Sequence, residues 1–549
     1  MLTETELATM RAWRSADPDP ATAAALDGLI ERATGGDPQA LSELRDAFSG
    51  RLEFGTAGLR AALGAGPNRM NRVVVSQAAA GLGHWLRDHG HAGSRVLIGY
   101  DARYNSDVFA RDTAEILAGM GLRPIVTASP VPTPVVAFGI GELDCVAAVV
   151  VTASHNPPTD NGYKVYVGPS QIIPPMDAEI AAQIARAALH PLTAYPRSTH
   201  YETIGNTLLN AYAARAARLL TNDVPRELTW VYTPLHGVGA DTVSRVLTAS
   251  GFAEPAVVAE QATPDPAFAT VHFPNPEEPG AMDLTLQLAQ KINAEIAIAH
   301  DPDADRCAVA VPLSDGSWRM LSGDELGWLL ADDALRRGTP GTYACSVVSS
   351  TLLSSLAAAA GQPFAMTLTG FKWIGRVPGL AFGYEEAIGY CTDPAAVADK
   401  DGISTLVRVL SLAARLRREG HTLTDRLDTL ATTFGVHLTA QLAYRVADLG
   451  LIDAVMSRLR AAPPTQLQSE AATVVDLADG WNGLPPTDGM LYESQRFRVV
   501  VRPSGTEPKL KCYLQVRLPP EPADLSAARH QAEDLMHALS AEMSATLAL

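Results

Sequence analysis

Apolar residues arrive along this chain in short bursts separated by amphipathic stretches. Arg95–Tyr100 (RVLIGY) and Cys145–Val151 are continuous apolar runs of strand length, and Pro124–Thr127 is a shorter one. Between them Phe109, Thr113, Ile116, Leu117 and Met120 recur at i, i+4, i+7, i+8 and i+11, one face of a helix. Ser76–His89 has the same helical spacing. Continuous apolar strands alternating with helices predict a sheet covered on both faces and largely parallel. The pattern then restarts twice. Leu208–Leu220 predicts a helix, Leu228–Tyr232 a strand, and Ile296–Ala299 a strand after the glycine turn at His236–Gly239. Helix Asp324–Arg336, strand Tyr343–Val348, helix Thr351–Ala360 and a long helix at Ile403–Arg418 follow. The first fifty residues read as polar helices, with Ala21–Ala33 and Pro38–Phe48 at helical spacing and Asp37 as a cap. The last hundred differ: Val436–Val446, Arg496–Val501 and Leu510–Val516 are strand-like, and Ser526–Leu549 is helical. The expected fold class is α/β, with three consecutive mixed-sheet α/β domains and a smaller C-terminal α+β domain. The expected boundaries are 1–206, 207–312, 313–435 and 436–549.

A chain of 549 residues accommodates such a plan, at roughly 100–200 residues per domain. The net charge of −17 argues against a general nucleic-acid coat or an anionic-membrane binder. An anionic substrate would therefore need a local basic cluster. The five cysteines are scattered and form no CxxC pair, which excludes a zinc ribbon or thioredoxin motif and suits reduced thiols in a cytosol. Residues 1–14 carry acids and no apolar core, so no signal peptide is expected, and no apolar run reaches the length of a membrane span. A cytoplasmic protein is the expectation.

Four loops carry candidate chemistry. Strand Cys145–Val151 ends in Thr152-Ala153-Ser154-His155-Asn156-Pro157-Pro158, at the strand end where open α/β sheets collect ligands. Ser154 there is either a nucleophile or phosphate carrier, or a turn-capping hydroxyl. The flanking residues are not those of a GxSxG elbow. Strand Ile296–Ala299 ends in His300-Asp301-Pro302-Asp303-Ala304-Asp305-Arg306. Carboxylates at i, i+2 and i+4 crowd a tight loop without a cation, and hard oxygen donors favour Mg²⁺ or Ca²⁺. An EF-hand fails, because Arg306 and Pro312 stand where its glycine and glutamate belong. Three protein oxygens leave room for water and a phosphate, the Mg²⁺ style. Arg502-Pro503-Ser504-Gly505-Thr506-Glu507-Pro508-Lys509 offers an arginine, hydroxyls and a bare backbone N–H, a phosphate cradle or else a Pro/Gly hairpin. Gly383-Tyr384-Glu385-Glu386 is a weaker signal for sugar hydroxyls, with Thr369-Gly370-Phe371-Lys372 a possible companion.

These loops, in this order, resemble the α-D-phosphohexomutase superfamily, specifically its phosphoglucomutase/phosphomannomutase branch. The resemblance runs from about Phe54 to the end. It includes Phe54–Arg60, Gly99–Arg103, Asn161–Lys164, Thr233–Gly237 and Lys400–Gly402 beside TASHNP, DPDADR and RPSGTEPK. It implies four domains around a central cleft and an isomerase, a phosphosugar mutase interconverting hexose 1- and 6-phosphates of glucose or mannose. It implies a phosphoserine at Ser154 and Mg²⁺ held by Asp301, Asp303, Asp305 and a phosphate oxygen on Ser154. Lys164, Arg60 and His155 become catalytic candidates, with a lysine pKa lowered by neighbouring cations if Lys164 is to act as a base. Arg306, Gly370, Lys372 and Glu385 become substrate contacts, and Arg502, Ser504, Gly505 and Thr506 the cradle for the non-reacting phosphate. A hexose 1,6-bisphosphate would be intermediate and activator.

Two positions depart from that pattern. The glucose-specific branch carries a serine two places after the first glutamate, where this chain has Ala387, and the arginine motif is commonly followed by glycine, where it has Ala61. Ala387 keeps a phosphopentomutase open beside the hexose enzyme, as well as a sugar-bisphosphate synthase. A catalytically dead sugar-phosphate sensor is the non-enzyme alternative, and the intact serine and aspartates argue against it. Small sugar phosphates are the expected partners, with no nucleic acid, membrane or obligate protein partner.

Overall fold

Strand Arg95–Tyr100 forms where RVLIGY predicts it and lies between two parallel neighbours, Arg123–Thr127 and Ala147–Val151. Every residue of Ala147–Val151 is buried, as a strand covered on both faces requires. The next strand, Asp160–Val167, returns antiparallel to it, and Leu59–Ala62 pairs antiparallel beyond that. The sequence pattern did not predict Asp160–Val167, because DNGYKVYV buries polar residues: Asn161 and Lys164 are both inside. Helix Arg72–Asp88 begins four residues before the expected Ser76, since Asn71 Oδ1 accepts from the Val74 N–H at 2.9 Å and Val73–Val75 are buried. The core beneath this sheet joins Val96, Ile98, Val149 and Val151 to Leu82, Trp85 and Phe109.

The computed structural model describes residues 1–55, 58–446, 449–504, 509–520 and 524–548. They fall into two compact units, Met1–Arg319 with Ala395–Val407, and Met320–Pro394 with Arg408–Leu549. The first unit opens with three helices, Glu4–Ala16, Pro20–Thr34 and Pro38–Ala47, capped by Thr3, Asp19 and Asp37 and packed on a small core of Met10, Leu26, Ala40 and Leu44. Its second sheet runs in the order Trp318–Met320, Ala308–Pro312, Ile296–Ala299, Trp230–Thr233 and Ala256–Val257.

In the second unit, strands Phe364–Thr367, Thr342–Ser346 and Leu380–Glu385 lie parallel in that order, and Gly389–Cys391 returns antiparallel. The C-terminal part is a wholly antiparallel sheet, ordered Val436–Arg445, Lys509–Leu518, Phe497–Pro503, Met490–Glu493 and Thr473–Asp476. Helices Leu449–Ala461 and Leu525–Leu547 pack into one core with it, through Ile452, Val455, Met536 and Leu539. This is the α+β arrangement expected after three mixed α/β sheets.

One motif recurs in all three α/β sheets. A parallel strand ends, a short loop follows, and the next strand returns antiparallel: 147–151 to 160–167, 296–299 to 308–312, and 380–385 to 389–391. Each loop contains one non-glycine residue in the left-handed region, Ser154 (φ 52), Ala304 (φ 53) and Ile388 (φ 52). All five cysteines are buried and free, and Trp85 and Trp230 are core residues. No described helix is long and apolar enough to cross a membrane.

Candidate active site

Register places the first three groups. Arg60 pairs with Gly162 across antiparallel strands, and Lys164 lies two residues further along the same strand. Opposite residues share a face, as do residues i and i+2, so Arg60 and Lys164 lie on one face while Tyr163 and Leu59 enter the core on the other. Ala61 pairs with Asn161 in extended backbone, where glycine's freedom is not needed. The loop joining Ala147–Val151 to the Lys164 strand carries Ser154. Its hydroxyl is buried and donates to Asp301 Oδ2 at 2.6 Å, with His155 Nδ1 3.3 Å away. Burial, with the cations Arg306 and Arg60 nearby, pushes the His155 pKa well below its ordinary value, so the ring is neutral. Arg60 Nη1 donates to Asn156 Oδ1 at 3.1 Å and so ties the first strand to this loop.

The acidic loop is clamped by glycines that nothing larger can replace. A Cβ on Gly237 would lie 2.3 Å from Pro302 Cα, and one on Gly402 2.3 Å from the Arg306 carbonyl. His300 at its base is buried, with Nε2 donating to the Gly402 carbonyl and Nδ1 facing the Tyr232 hydroxyl, both at 3.0 Å. Burial lowers its pKa to about 4. The three carboxylates are buried and bring oxygens within 4.8 Å of one another. Asp303 Oδ2 accepts from Thr133 Oγ1 at 2.6 Å and from Lys164 Nζ at 2.7 Å; Asp305 Oδ2 accepts from Lys164 Nζ at 2.8 Å. Lys400 Nζ stands 3.5 Å from Asp305 Oδ2. Asp303 Oδ1 and Asp305 Oδ1 are buried without a hydrogen-bond partner among the described residues. Three converging hard oxygen donors, two of them with such an orphaned atom, fit a small divalent cation.

Electrostatics divides the triad. Burial and repulsion from Asp303 and Asp305 raise the Asp301 pKa well above the carboxylate range. Burial opposes ionisation of Asp305 too, but Lys164, Lys400 and Arg306 outweigh it and hold its pKa below the ordinary value. Burial disfavours the charge of Lys164, yet Asp303 and Asp305 lie so close that its pKa rises.

The second unit gathers a different set. Loops after the parallel strands Thr342–Ser346, Phe364–Thr367 and Leu380–Glu385 all lie at one edge of their sheet. Gly370 (φ 103) precedes the short helix Phe371–Ile374, and Lys372 Nζ lies 5.5 Å over the Trp373 ring. The Glu386 carboxylate accepts from Ser346 Oγ at 3.0 Å and Ser349 Oγ at 3.1 Å, which ties two of these loops together. Tyr513, on the C-terminal sheet, lies near Glu385, Glu386 and Arg502. Burial raises its pKa, and Glu386, Arg502 and Glu385 all act on its hydroxyl, Arg502 also by a hydrogen bond. The Ser504 N–H donates to the Lys509 carbonyl at 2.8 Å. Gly505 and Thr506 lie outside the described residues.

Ser154, His155, Lys164, Arg60, Arg306 and the three aspartates are thus brought together in the first unit, and Glu385 and Arg502 share an environment in the second. Arg103 and Lys400 entered the sequence reading only as members of the motifs Gly99–Arg103 and Lys400–Gly402, without a role, and Thr133, Ser346 and Tyr513 did not enter it at all. Arg103 and Thr133 follow strands of the same parallel sheet and were open to the strand-end rule that picked Ser154. Nothing local marks Ser346 or Tyr513.

Residues 51–190, 210–314 and 322–434 match the models of phosphoglucomutase/phosphomannomutase alpha/beta/alpha domains I, II and III. A Haemophilus influenzae protein named "Probable phosphomannomutase" is 45% identical over 457 residues, 82% of this chain and 93% of that one. A Mus musculus phosphopentomutase is 34% identical over 587 residues, 96% of this chain and 93% of that one. A solved phosphoglucomutase/phosphomannomutase family protein from Burkholderia thailandensis shares the fold, with a TM-score of 0.68 and 20% identity over 89% of this chain and 97% of that one. The chain belongs to the phosphoglucomutase/phosphomannomutase family of the α-D-phosphohexomutase superfamily, and it is a mutase, an isomerase of carbohydrate metabolism.

Proposed function

We propose that the enzyme interconverts hexose 1-phosphate and hexose 6-phosphate, of glucose or mannose, through a phosphoserine at Ser154 and a hexose 1,6-bisphosphate. The observation that carries this reading is Ser154 Oγ, 2.6 Å from Asp301, beside two carboxylates that each keep an orphaned oxygen. In the first half-reaction the bond from phosphorus to Ser154 Oγ breaks as a bond to a sugar hydroxyl oxygen forms. The hydroxyl proton leaves to a base, the departing Ser154 Oγ takes up a proton, and the product is the bisphosphate. In the second half-reaction Ser154 Oγ gives up that proton as it bonds to the other phosphoryl group, and the freed sugar oxygen is protonated. Asp301, Asp303 and Asp305, with a phosphate oxygen on Ser154, would hold Mg²⁺, which when bound would neutralise charge on the transferring group. Lys164 stays protonated and neutralises charge beside the aspartates. The neutral His155 ring is the proton acceptor beside Oγ. Arg60 and Arg306 face the phosphoryl group. Glu385, Gly370 and Lys372 contact the sugar, while Arg502, Ser504, Gly505 and Thr506 hold the non-reacting phosphate.

The domain division 1–206, 207–312, 313–435 and 436–549 belongs to this proposal. It is supported by four sheets that each lie within one span, except for edge strand Trp318–Met320. So does a cytoplasmic enzyme acting on small sugar phosphates without nucleic acid, membrane or obligate protein partner.

A second reading, phosphopentomutase, is favoured by Ala387, which gives the sugar loop no hydroxyl at that place, while Glu386 is engaged by Ser346 and Ser349. Side-by-side assays of glucose, mannose and ribose 1-phosphate, with Mg²⁺ and a trace of glucose 1,6-bisphosphate, separate the two. The hexose reading expects a hexose phosphate to have the highest kcat/KM and a chelator to abolish turnover. A dominant ribose activity overturns it in favour of the second reading, and full activity in chelator overturns the metal assignment.

A further inference from the structure

Arg103 lies just past strand Arg95–Tyr100, beside the strand that leads to Ser154, and is only 4% exposed. Its guanidinium meets four carbonyl oxygens of one loop. Nη2 donates to Ser154 O at 2.5 Å and Asn156 O at 2.6 Å; Nη1 donates to Pro157 O at 2.7 Å and Asp160 O at 3.2 Å. These oxygens run from the serine to the first residue of the returning strand. Within the loop the Asn156 N–H donates to the Ala153 carbonyl at 3.1 Å and the Asp160 N–H to the Pro157 carbonyl at 3.0 Å, while Pro157 and Pro158 have no N–H to give and Ser154 is left-handed at φ 52.

The fork is itself held. Its Nε stands 3.3 Å from Asp101 Oδ2, and its Cζ lies 4.8 Å over the Phe268 ring. Asp101 is fixed in turn by the Arg103 N–H at 3.0 Å and the Ser106 hydroxyl at 2.7 Å. Planar donors on both terminal nitrogens can span four carbonyls, and a lysine ammonium, donating from one point, cannot.

We propose that Arg103 is a positioning residue for phosphoryl transfer: by gripping the carbonyl of Ser154 and three more across its loop, it holds the serine backbone left-handed and aims Oγ at Asp301. It touches no reacting atom. The inference rests on the proposed phosphoserine mechanism. Losing the grip leaves the substrate contacts in place and lets the nucleophile wander. A displacement of about 1 Å at a reacting group costs on the order of a hundredfold in rate.

The test uses the whole enzyme, on whichever of the three sugar 1-phosphates wild type turns over fastest. Arg103→Lys keeps a buried cation beside Asp101 and is expected to lower kcat roughly thirty- to a hundred-fold while KM stays within about twofold. Added guanidinium ion is expected to recover part of the kcat of Arg103→Ala, and methylammonium none. A kcat for Arg103→Lys within about twofold of wild type, or a guanidinium-insensitive Arg103→Ala that melts normally, overturns the inference. Phe268→Leu removes the ring that backs the guanidinium, so the fork is held less firmly on its four carbonyls, and it serves if neither Arg103 variant folds: a several-fold fall in kcat at constant KM supports the proposal, and an unchanged kcat overturns it. Wild-type Ser154 phosphorylation by glucose 1,6-bisphosphate is followed by intact mass in parallel. Its absence defeats the phosphoserine mechanism itself, whereas its presence with a fully active Arg103→Lys defeats only the role of Arg103.

Discussion

The two units hold their functional residues by different physics. In the first, Ser154, Asp301, Asp303 and Lys164 are all nearly or fully excluded from water, and almost every contact among them is charged. In the second, Glu385, Glu386 and Arg502 are half-buried, and neutral serine hydroxyls donate to the Glu386 carboxylate. Buried charge is costly unless densely paired, and once paired it forms a rigid, low-dielectric environment for a charged transition state. Half-buried groups backed by hydroxyls are cheaper to rearrange and can be retuned to a new sugar by one side chain. Substitutions in the first unit should therefore act on rate and by large factors, and those in the second on binding and by small ones.

The largest expected effect is at Ser154. Ser154→Ala removes the acceptor of the phosphoryl group and is expected to cut kcat by about a thousandfold or more, in an assay supplied with bisphosphate. Asp303→Asn comes next. It keeps the shape and the Thr133 contact but takes one negative charge from the triad, so it should raise the Mg²⁺ concentration for half-maximal rate and slow turnover by about a hundredfold. A Mg²⁺ titration beside a thermal melt checks both, because the fold should survive. Arg502→Ala crosses into the second unit. Losing a charge-assisted hydrogen bond to phosphate, about 1.5–3 kcal/mol, predicts a KM raised roughly ten- to a hundred-fold with a smaller change in kcat. A change in kcat alone would erase the contrast between the units. The smallest effect belongs to Ala387→Ser, which offers the sugar one more hydrogen bond. It should shift the kcat/KM ratio between glucose and mannose 1-phosphates by about fivefold, near 1 kcal/mol. A wild-type enzyme already overwhelmingly selective for one hexose would place specificity outside this loop.

How far these groups could be read beforehand follows the same divide. Apolar strands such as Arg95–Tyr100 and Ile296–Ala299 were legible because full burial leaves an unbroken apolar run, and the loops at their ends carry Ser154 and the aspartates. Strand Asp160–Val167 was not, because the polar residues it buries for the site break its apolar pattern. The charged state of Lys164 was hidden for a related reason. The sequence shows a lysine and an acidic loop about 140 positions apart, and only the sheet pairing reveals contacts at 2.7 and 2.8 Å. In the second unit Tyr513 joins residues from distant strands, so its place depends on tertiary contact alone.

The central claim is that Ser154 carries the transferable phosphate. Enzyme is incubated with radiolabelled glucose 1,6-bisphosphate, then either quenched or chased with unlabelled sugar 1-phosphate, and its peptides are mapped. Label on the peptide containing Ser154, lost to sugar bisphosphate within one turnover of the chase, is the predicted result. Turnover with no label on Ser154, or label that survives the chase, would contradict it.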